Sequence, residues 1–397
     1  MVGLLSKFLV LPAPGIVYTE DMESPVNCYS KVLLGHLSSR SALQRSISAM
    51  VLSFWALGDP SIRPGPEMLR EKLKMCLNEC IYYDEVGILF TRLLQESRDF
   101  LATLKQYKVP IVEYEGLKVL TLDHIQALAT SLTENLKNKQ GLRPKVAEMI
   151  ESRRKGLQMS CSQTSSEQNT FNIATQAALA GAVVCLNCLP ERLNPVIKPI
   201  MESLKREEVE ILQQLSAQYL VRLLDEIVER NPCPNNKIIT NLGTLLKTDT
   251  DFTPKIVIPV EPYESNRCAE AYLGILTLSN QEKALTVQNG QATRGPGRPP
   301  NVSEVTLEEM REAEDPQKKI NRVQRIGATF AITEICRYFG DDLKRKIPKI
   351  WELMTDFMRE KLTKEATSGW LTVKLAEEQM GELMTSLQVT EVAFPNL

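Results

Sequence analysis

The side chains that could carry out chemistry are few and widely spaced in this chain. Two histidines occur, His36 and His124, and each lies in a stretch whose apolar period predicts a helix. A histidine in that setting is more often packed or solvated than catalytic. The phosphate-binding GxxxxGK[ST] loop and the GxSxG and HExxH motifs do not occur in the 397 residues. The sequence therefore favours a protein that is not an enzyme, and it predicts no cofactor.

Cysteine is the other residue type with possible chemistry. The nine cysteines are scattered and odd in number, which indicates reduced thiols in an intracellular protein rather than a disulfide framework. Cys185 and Cys188 form a CxxC pair inside an apolar helical stretch. Cys76 and Cys80 could complete a four-sulfur zinc site, but nothing in the sequence brings the two pairs together. We therefore interpret these cysteines as small buried hydrophobic residues and predict no metal site.

The stretch TRGPGRPPN at residues 293–301 is a weak candidate for binding DNA. Arg298 lies between Gly297 and Pro299, which gives the Gly-Arg-Pro core of AT-hook peptides. Such peptides lie extended in the narrow minor groove, where arginine meets enhanced negative potential. Arg294 would then contact a flanking phosphate. The flanks contain few basic residues, so a flexible linker is the competing interpretation.

Length and charge restrict the domain organisation of the protein and the kinds of partner that it can bind. A chain of 397 residues is too long for one compact core of ordinary size, so it forms either two or three domains or an elongated array. The net charge of −2 provides no overall field that would attract nucleic acid or an acidic membrane. The opening MVGLLSKFLVLPAPG is short and interrupted by Lys7, which argues against a signal peptide. No stretch approaches the ~20 apolar residues of a membrane span, so we expect no membrane partner.

Residues 189–233 are the most informative stretch for the fold. Two apolar stripes with steps of three and four lie on either side of a charged turn at residues 205–208. We expect Asn194 to cap the first helix and Pro199 to bend it. Neither helix can bury its stripe alone, and a proline-bent helix followed by a straighter one is typical of HEAT repeats. An ordinary antiparallel helix pair in a globular bundle is the alternative.

Similar hairpins occur elsewhere, and they predict an all-α fold. We expect a HEAT-like helical-repeat solenoid with disordered insertions. Ser41 is predicted to cap a helix that ends near Gly58. The predicted order is an N-terminal segment at 1–26, HEAT-like helices at 27–157, a Ser/Gln/Thr-rich linker at 158–170, HEAT repeats at 171–247, a disordered insertion at 248–319, and HEAT repeats at 320–397 in an array truncated at its C-terminus.

Four stretches of the sequence resemble one known family in the same order. They are SRSALQRSISAMVLSFWA, TQAALAGAVVCLNCLPERLNPVIKPIMESLKREE, SAQYLVRLLDEIVERNPCPNNKIITNL and RVQRIGATFAITEICRYFGDDLKRKIPKIWELM. Together they are similar to the central HEAT-repeat region of the TATA-binding-protein-associated Swi/Snf-type ATPases, the modifier-of-transcription family found in B-TFIID.

This resemblance implies a nuclear transcription regulator. In the family, a HEAT array grips TATA-binding protein and an ATP-driven DNA translocase strips it from DNA. The motor is absent here, and so are the most N-terminal repeats, so the chain is expected to be a non-catalytic scaffold that binds TATA-binding protein, with DNA as a possible direct or indirect partner. A generic HEAT adaptor unrelated to transcription is the alternative. The region around Arg298 falls where the family has a variable basic linker, which weakens the AT-hook interpretation.

Overall fold

A computed structural model describes residues 2–11, 14–17, 19, 21–107, 109, 120–137, 143–249, 316–356 and 373–393. The regular elements in these ranges are all helical, so the all-α prediction is confirmed. The chain divides into two compact units, residues 1–190 and residues 191–397. The candidate DNA contacts and almost all of the insertion predicted at 248–319 lie outside the described residues.

Among its described residues, the first unit has seven α-helices. They are α1 (Val2–Leu9), α2 (Pro25–Leu37), α3 (Ala42–Gly58), α4 (Glu67–Asn78), α5 (Gly87–Gln106), α6 (Leu122–Lys137) and α7 (Pro144–Cys185), with short 3-10 turns at Pro60–Ile62 and Asp84–Val86. Helix α7 packs along α3, α4, α5 and α6, while α1 and α2 pack against α3. The core of this unit therefore lies between α7 and the hairpins that precede it.

The N-terminus of α3 is capped twice. The Ser41 hydroxyl accepts a hydrogen bond from the Gln44 amide, so the predicted cap is confirmed. The Glu85 carboxylate accepts from the Ser41 hydroxyl at 2.6 Å and from the amides of Ala42 and Leu43 at 3.0 and 3.1 Å. A negative charge at this end of a helix satisfies free amides and complements the helix dipole. Glu85 therefore ties the following chain segment to the start of α3.

Helix α7 corrects one of the predictions. Residues 158–170 have the composition of a linker, but they lie inside this continuous 42-residue helix, so the linker prediction is wrong. The hydroxyls of Thr164 and Thr170 bond to backbone carbonyls four residues earlier, which is compatible with a helix. The Gln168 amide also donates to the Ile81 carbonyl at 2.7 Å. Tertiary contacts thus stabilise a stretch whose own sequence has no strong apolar stripe.

The second unit is built around one long helix. Its elements are α8 (Asn194–Arg206), α9 (Glu210–Glu226), α10 (Asn235–Leu246), α11 (Pro316–Phe339), α12 (Leu343–Lys346), α13 (Pro348–Asp356) and α14 (Val373–Ala393). Helix α11 packs against α8, α9, α10 and α14. It begins at Pro316, four residues inside the predicted insertion. The stacking of α11 on the α8–α9 hairpin agrees with the predicted helical repeats.

The α8–α9 hairpin matches its sequence pattern closely. Most of the side chains in its predicted stripes are buried: Val196, Ile200, Met201, Leu204, Tyr219, Leu220, Leu223, Leu224 and Ile227. Four other members are only partly buried: Leu193, Ile197, Leu212 and Leu215. Pro199 lies inside α8, as expected. The prediction that Asn194 caps α8 is wrong, because Asn194 is the first helical residue and no side chain caps this end. Pro195 lies in the first turn of α8, where a backbone amide would have no partner within the helix, so the amide that proline lacks costs no hydrogen bond.

Helix α11 lies very close to the hairpin backbone at Gly327. A Cβ atom at this position would lie 2.0 Å from the Leu204 carbonyl oxygen and 2.5 Å from Nε2 of Gln213. That Nε2 donates to the carbonyls of Leu204 and Val323, each at 2.9 Å, and the Gln213 side chain is buried. The pairing of these helices therefore depends on a glycine and on one buried amide that bonds both partners.

Candidate protein-interaction surface

Helix α1 exposes its large apolar side chains instead of burying them against α3. The residues that α1 buries are small, Gly3 and Ser6. Its large apolar side chains point outward, with Leu5 54% exposed and Phe8 68% exposed. An apolar helix face is normally buried against another surface. The outward side of α1 is therefore the strongest candidate for an interaction surface in the first unit.

The inner side of α1 is held firmly against its own unit. A Cβ atom at Gly3 would lie 2.1 Å from the Phe54 carbonyl oxygen, and one at Gly58 would lie 2.9 Å from the Gly3 backbone. The hydroxyls of Ser6 and Tyr29 are 2.9 Å apart. The Tyr29 ring meets the Trp55 ring edge-on, with centroids 5.0 Å apart. These contacts fix which side of α1 faces outward.

Two exposed apolar residues of α3 lie on the side of that helix that meets α1. Leu43 and Ile47 are exposed, and steps of four and seven place them on the same side of α3 as Phe54 and Gly58, against which α1 packs. We define the outer apolar face as Leu4, Leu5, Phe8 and Leu9 of α1. Twelve of the 21 exposed large apolar side chains among the described residues lie between positions 2 and 47. This part of the first unit is therefore the richest in exposed apolar side chains, which makes it a candidate interaction surface.

A groove runs beside α7 in the same unit. Its volume is about 750 Å³, and its lining includes Arg92 of α5 and Lys155, Gln158 and Met159 of α7. Arg92 is already paired with Glu96, from Nε to Oε1 at 2.8 Å. The groove is open to solvent and provides hydrogen-bonding side chains, but it contains no arrangement that could activate a nucleophile or hold a metal.

One cluster of charged and polar residues joins three helices of the second unit. Asp225 of α9 accepts from the Tyr338 hydroxyl at 2.9 Å and from the Lys346 ammonium at 2.6 Å. Burial, followed by the hydrogen bond to Asp225, raises the pKa of Tyr338. The Lys346 Nζ also lies 5.7 Å from the centre of the Phe339 ring. This cluster joins α9 to α11 and α12, so its role is to fix the helices.

The residues singled out from the sequence do not form a catalytic or metal site. Cys76, Cys185 and Cys188 are buried and Cys80 is exposed. Burial raises the pKa of Cys188 to about 11, so its thiol is neutral at physiological pH. Among the described residues, no three potential ligands cluster as a metal ion would need. Burial of Cys76, Cys185 and Cys188 agrees with the interpretation that they are small hydrophobic residues, whereas for the exposed Cys80 that interpretation is wrong.

Both histidines have ordinary structural environments. His36 is exposed in the last turn of α2. The backbone amide of His124 donates to the Thr121 hydroxyl, and its Nδ1 accepts from the Thr121 amide at 3.4 Å. These reciprocal bonds form a capping box at the start of α6. Arg294, Gly297, Arg298 and Pro299 lie outside the described residues, so the structure does not place the weak DNA candidates.

The outer apolar face was missed by the sequence reasoning. A signal for it was present, because helical spacing places Leu4, Leu5, Phe8 and Leu9 on one half of this helix and Gly3, Ser6 and Lys7 on the other. In the described part of the chain, none of the helices combines the length and apolar character required to cross a bilayer.

Comparison with known proteins gives one consistent family. Residues 1–353 match the family described as "Domain of unknown function (DUF3535)". The chain is 31% identical over 403 residues to TATA-binding protein-associated factor 172 of Homo sapiens, which covers 96% of this chain and 22% of that protein. It is 25% identical to TATA-binding protein-associated factor BTAF1 of Arabidopsis thaliana, over 98% of this chain and 19% of that protein.

A third relative matches a shorter part. TATA-binding protein-associated factor MOT1 of Saccharomyces cerevisiae is 24% identical over 55% of this chain and 10% of its own length. The chain thus spans about a fifth of the length of the first two relatives and a tenth of the third. The resemblance carried by residues 175–208 and 322–354 is confirmed. The chain belongs to the DUF3535 family, and over nearly its whole length it is similar to a segment of the TATA-binding protein-associated factors.

Proposed function

We propose that this chain is a non-catalytic scaffold of a nuclear transcription regulator and that it binds TATA-binding protein. The observation that carries the proposal is the similarity over 96% of the chain to a protein named for its association with TATA-binding protein. The helical-repeat packing supports it, because stacked helix pairs present extended binding surfaces. The outer apolar face supports an interaction role in general.

Removal of TATA-binding protein from DNA by an ATP-driven motor is proposed only for a longer protein that contains this segment. The chain itself has no phosphate-cradling loop in its sequence. We therefore expect purified chain to hydrolyse ATP no faster than a buffer blank, with or without DNA. A generic HEAT adaptor unrelated to transcription is the second candidate, since helical repeats serve many partners.

Size-exclusion chromatography of purified chain mixed with TATA-binding protein tests the proposal, with and without a TATA duplex. We expect co-elution with TATA-binding protein. Separate elution of the well-folded chain in both conditions would contradict direct binding and favour the adaptor function.

We keep four residues as proposed weak DNA contacts: Arg294, Gly297, Arg298 and Pro299. If these residues contact DNA, the purified chain should bind a free duplex weakly at low salt. An Arg294→Ala, Arg298→Ala variant, the matched control, should bind that duplex less.

A further inference from the structure

Ser24 lies directly before α2, next to the proline that begins this helix. Its side chain is exposed, and its backbone is extended, with φ −65° and ψ 146°. The residue before a proline is restricted to such extended conformations. Kinases of the proline-directed class act on a serine or threonine that lies in an extended segment and is followed at once by proline. We propose that Ser24 is a phosphorylation site for a proline-directed serine/threonine kinase.

The sequence offers few sites of this kind. Serine or threonine precedes proline at two positions in the 397 residues, Ser24 and Thr253. Thr253 lies outside the described residues. Ser24 is therefore the site of this kind whose surroundings the structure shows.

The first turn of α2 can open to admit a kinase. None of residues 24–28 is buried, and the first buried residue of α2 is Ser30. Opening this turn breaks the bond from the Asn27 amide to the Ser24 hydroxyl, 3.2 Å long, but withdraws no buried side chain from the core. Helix ends open at far lower free energy than the core of a domain. The folded chain should therefore present Ser24 without unfolding of the first unit.

The reaction is an ordinary phosphoryl transfer from ATP. Oγ of Ser24 attacks the γ-phosphorus, and the bond from that phosphorus to the bridging oxygen of the β-phosphate breaks. ADP leaves, and the hydroxyl proton passes to a base of the kinase. The phosphoserine carries close to two negative charges at neutral pH.

The start of α2 suits the added phosphate. Ser24 is the N-cap of this helix, whose first amides have no partner within the helix. A phosphate there accepts hydrogen bonds from these amides and complements the helix dipole. Lys31 supplies a cation at the same end, since its Nζ lies 2.5 Å from Oε1 of Glu23. The phosphate would compete with Glu23 for this cation, so we expect α2 to open less often after phosphorylation.

Incubation of the purified full chain with ATP, Mg²⁺ and an active mitogen-activated protein kinase tests the proposal. We expect a phosphoryl group on Ser24, which tandem mass spectrometry locates within the segment 8–31. Amides in the first turn of α2 should then exchange hydrogen up to about fivefold more slowly. No phosphate on Ser24 of the folded chain would overturn the proposal. A synthetic peptide of residues 8–31, treated in parallel, shows whether the fold or the sequence prevents the reaction.

Two variants separate proline-directed recognition from unspecific labelling. Ser24→Ala should lower phosphate incorporation into the segment 8–31 at least about tenfold. Pro25→Ala keeps the hydroxyl and should lower it to a similar extent, so full incorporation in this variant would also overturn the proposal. The matched control is Thr253→Ala, which should leave incorporation into this segment unchanged. Co-elution with TATA-binding protein is a separate readout, so failure of one proposal leaves the other testable.

Discussion

Replacing Gly327 by alanine should destabilise the second unit, although alanine is the better helix former. The new methyl group would lie 2.0 Å from the Leu204 carbonyl oxygen and 2.5 Å from Nε2 of Gln213. The Leu204 carbonyl belongs to the backbone of α8 and cannot move away at low energetic cost, so α11 must shift away from the α8–α9 hairpin. The displaced Gln213 amide would then lose its two 2.9 Å bonds to the carbonyls of Leu204 and Val323.

The magnitude follows from three opposing contributions. Alanine gains about 1 kcal/mol of helix propensity over glycine. Overpacking costs about 1–3 kcal/mol, and each weakened hydrogen bond costs about 1 kcal/mol. We expect a net loss of about 3 kcal/mol in the free energy of unfolding. With a denaturant dependence near 2 kcal/mol per molar urea, the midpoint should fall by about 1.5 M.

Urea unfolding followed by circular dichroism measures the loss, and hydrogen exchange read by mass spectrometry locates it. Amides of α8, α9 and α11 should lose protection, while those of α7 should not. Gly156→Ala in α7 is the matched control, because a Cβ atom there would meet nothing within 4 Å. It should stabilise the chain by up to about 1 kcal/mol. An unchanged or raised midpoint for the Gly327 variant would refute the close approach of α11.

Two further predictions test the hairpin core and the cap of α3. Leu220→Asp or Leu224→Asp should unfold the second unit, because both side chains are fully buried and an unpaired carboxylate would lose its hydration. The control is Ile211→Asp, since Ile211 is 76% exposed. Unchanged thermal melting of either core variant would contradict the assigned core. Glu85→Gln should cost about 1 kcal/mol at neutral pH, a value discounted for its solvent exposure. Burial opposes ionisation of Glu85, but the hydrogen bonds from Ser41, Ala42 and Leu43 together lower its pKa, so its contribution is present above about pH 4.5 and lost as pH falls further. Urea midpoints of the unmodified chain and the variant should therefore converge in acid; a constant difference would argue against the carboxylate cap.

The sequence predicted the helical hairpins well where the pattern is local. The stripes around Ile200 and Leu224 identify the buried sides because a step of 3.6 residues places them on one face. Ser41 was found as a cap because its hydroxyl bonds an amide only three residues away. The linker prediction for residues 158–170 failed because a polar composition cannot reveal contacts such as the bond from Gln168 to Ile81 across 87 positions.

The candidate site was less predictable than the fold. The sequence places the large apolar residues of α1 on one side, but only its packing through Gly3 and Ser6 shows that this side faces outward. Glu85 caps a helix that begins more than forty residues earlier, which no local motif encodes. The DNA candidates around Arg298 stay a prediction, because they lie outside the described residues.

The sequence by itself determined the helical class, the hairpin in residues 194–226, the lack of a recognisable catalytic motif and the family of this protein. It could do so because period, proline placement and short motifs are properties of neighbouring residues. Only the tertiary structure decided that α7 is continuous, that α11 meets the hairpin backbone at Gly327, and that the leucines of α1 face outward. These features depend on packing between residues that are far apart in the sequence. The free energy of burial is set by that packing rather than by the local sequence.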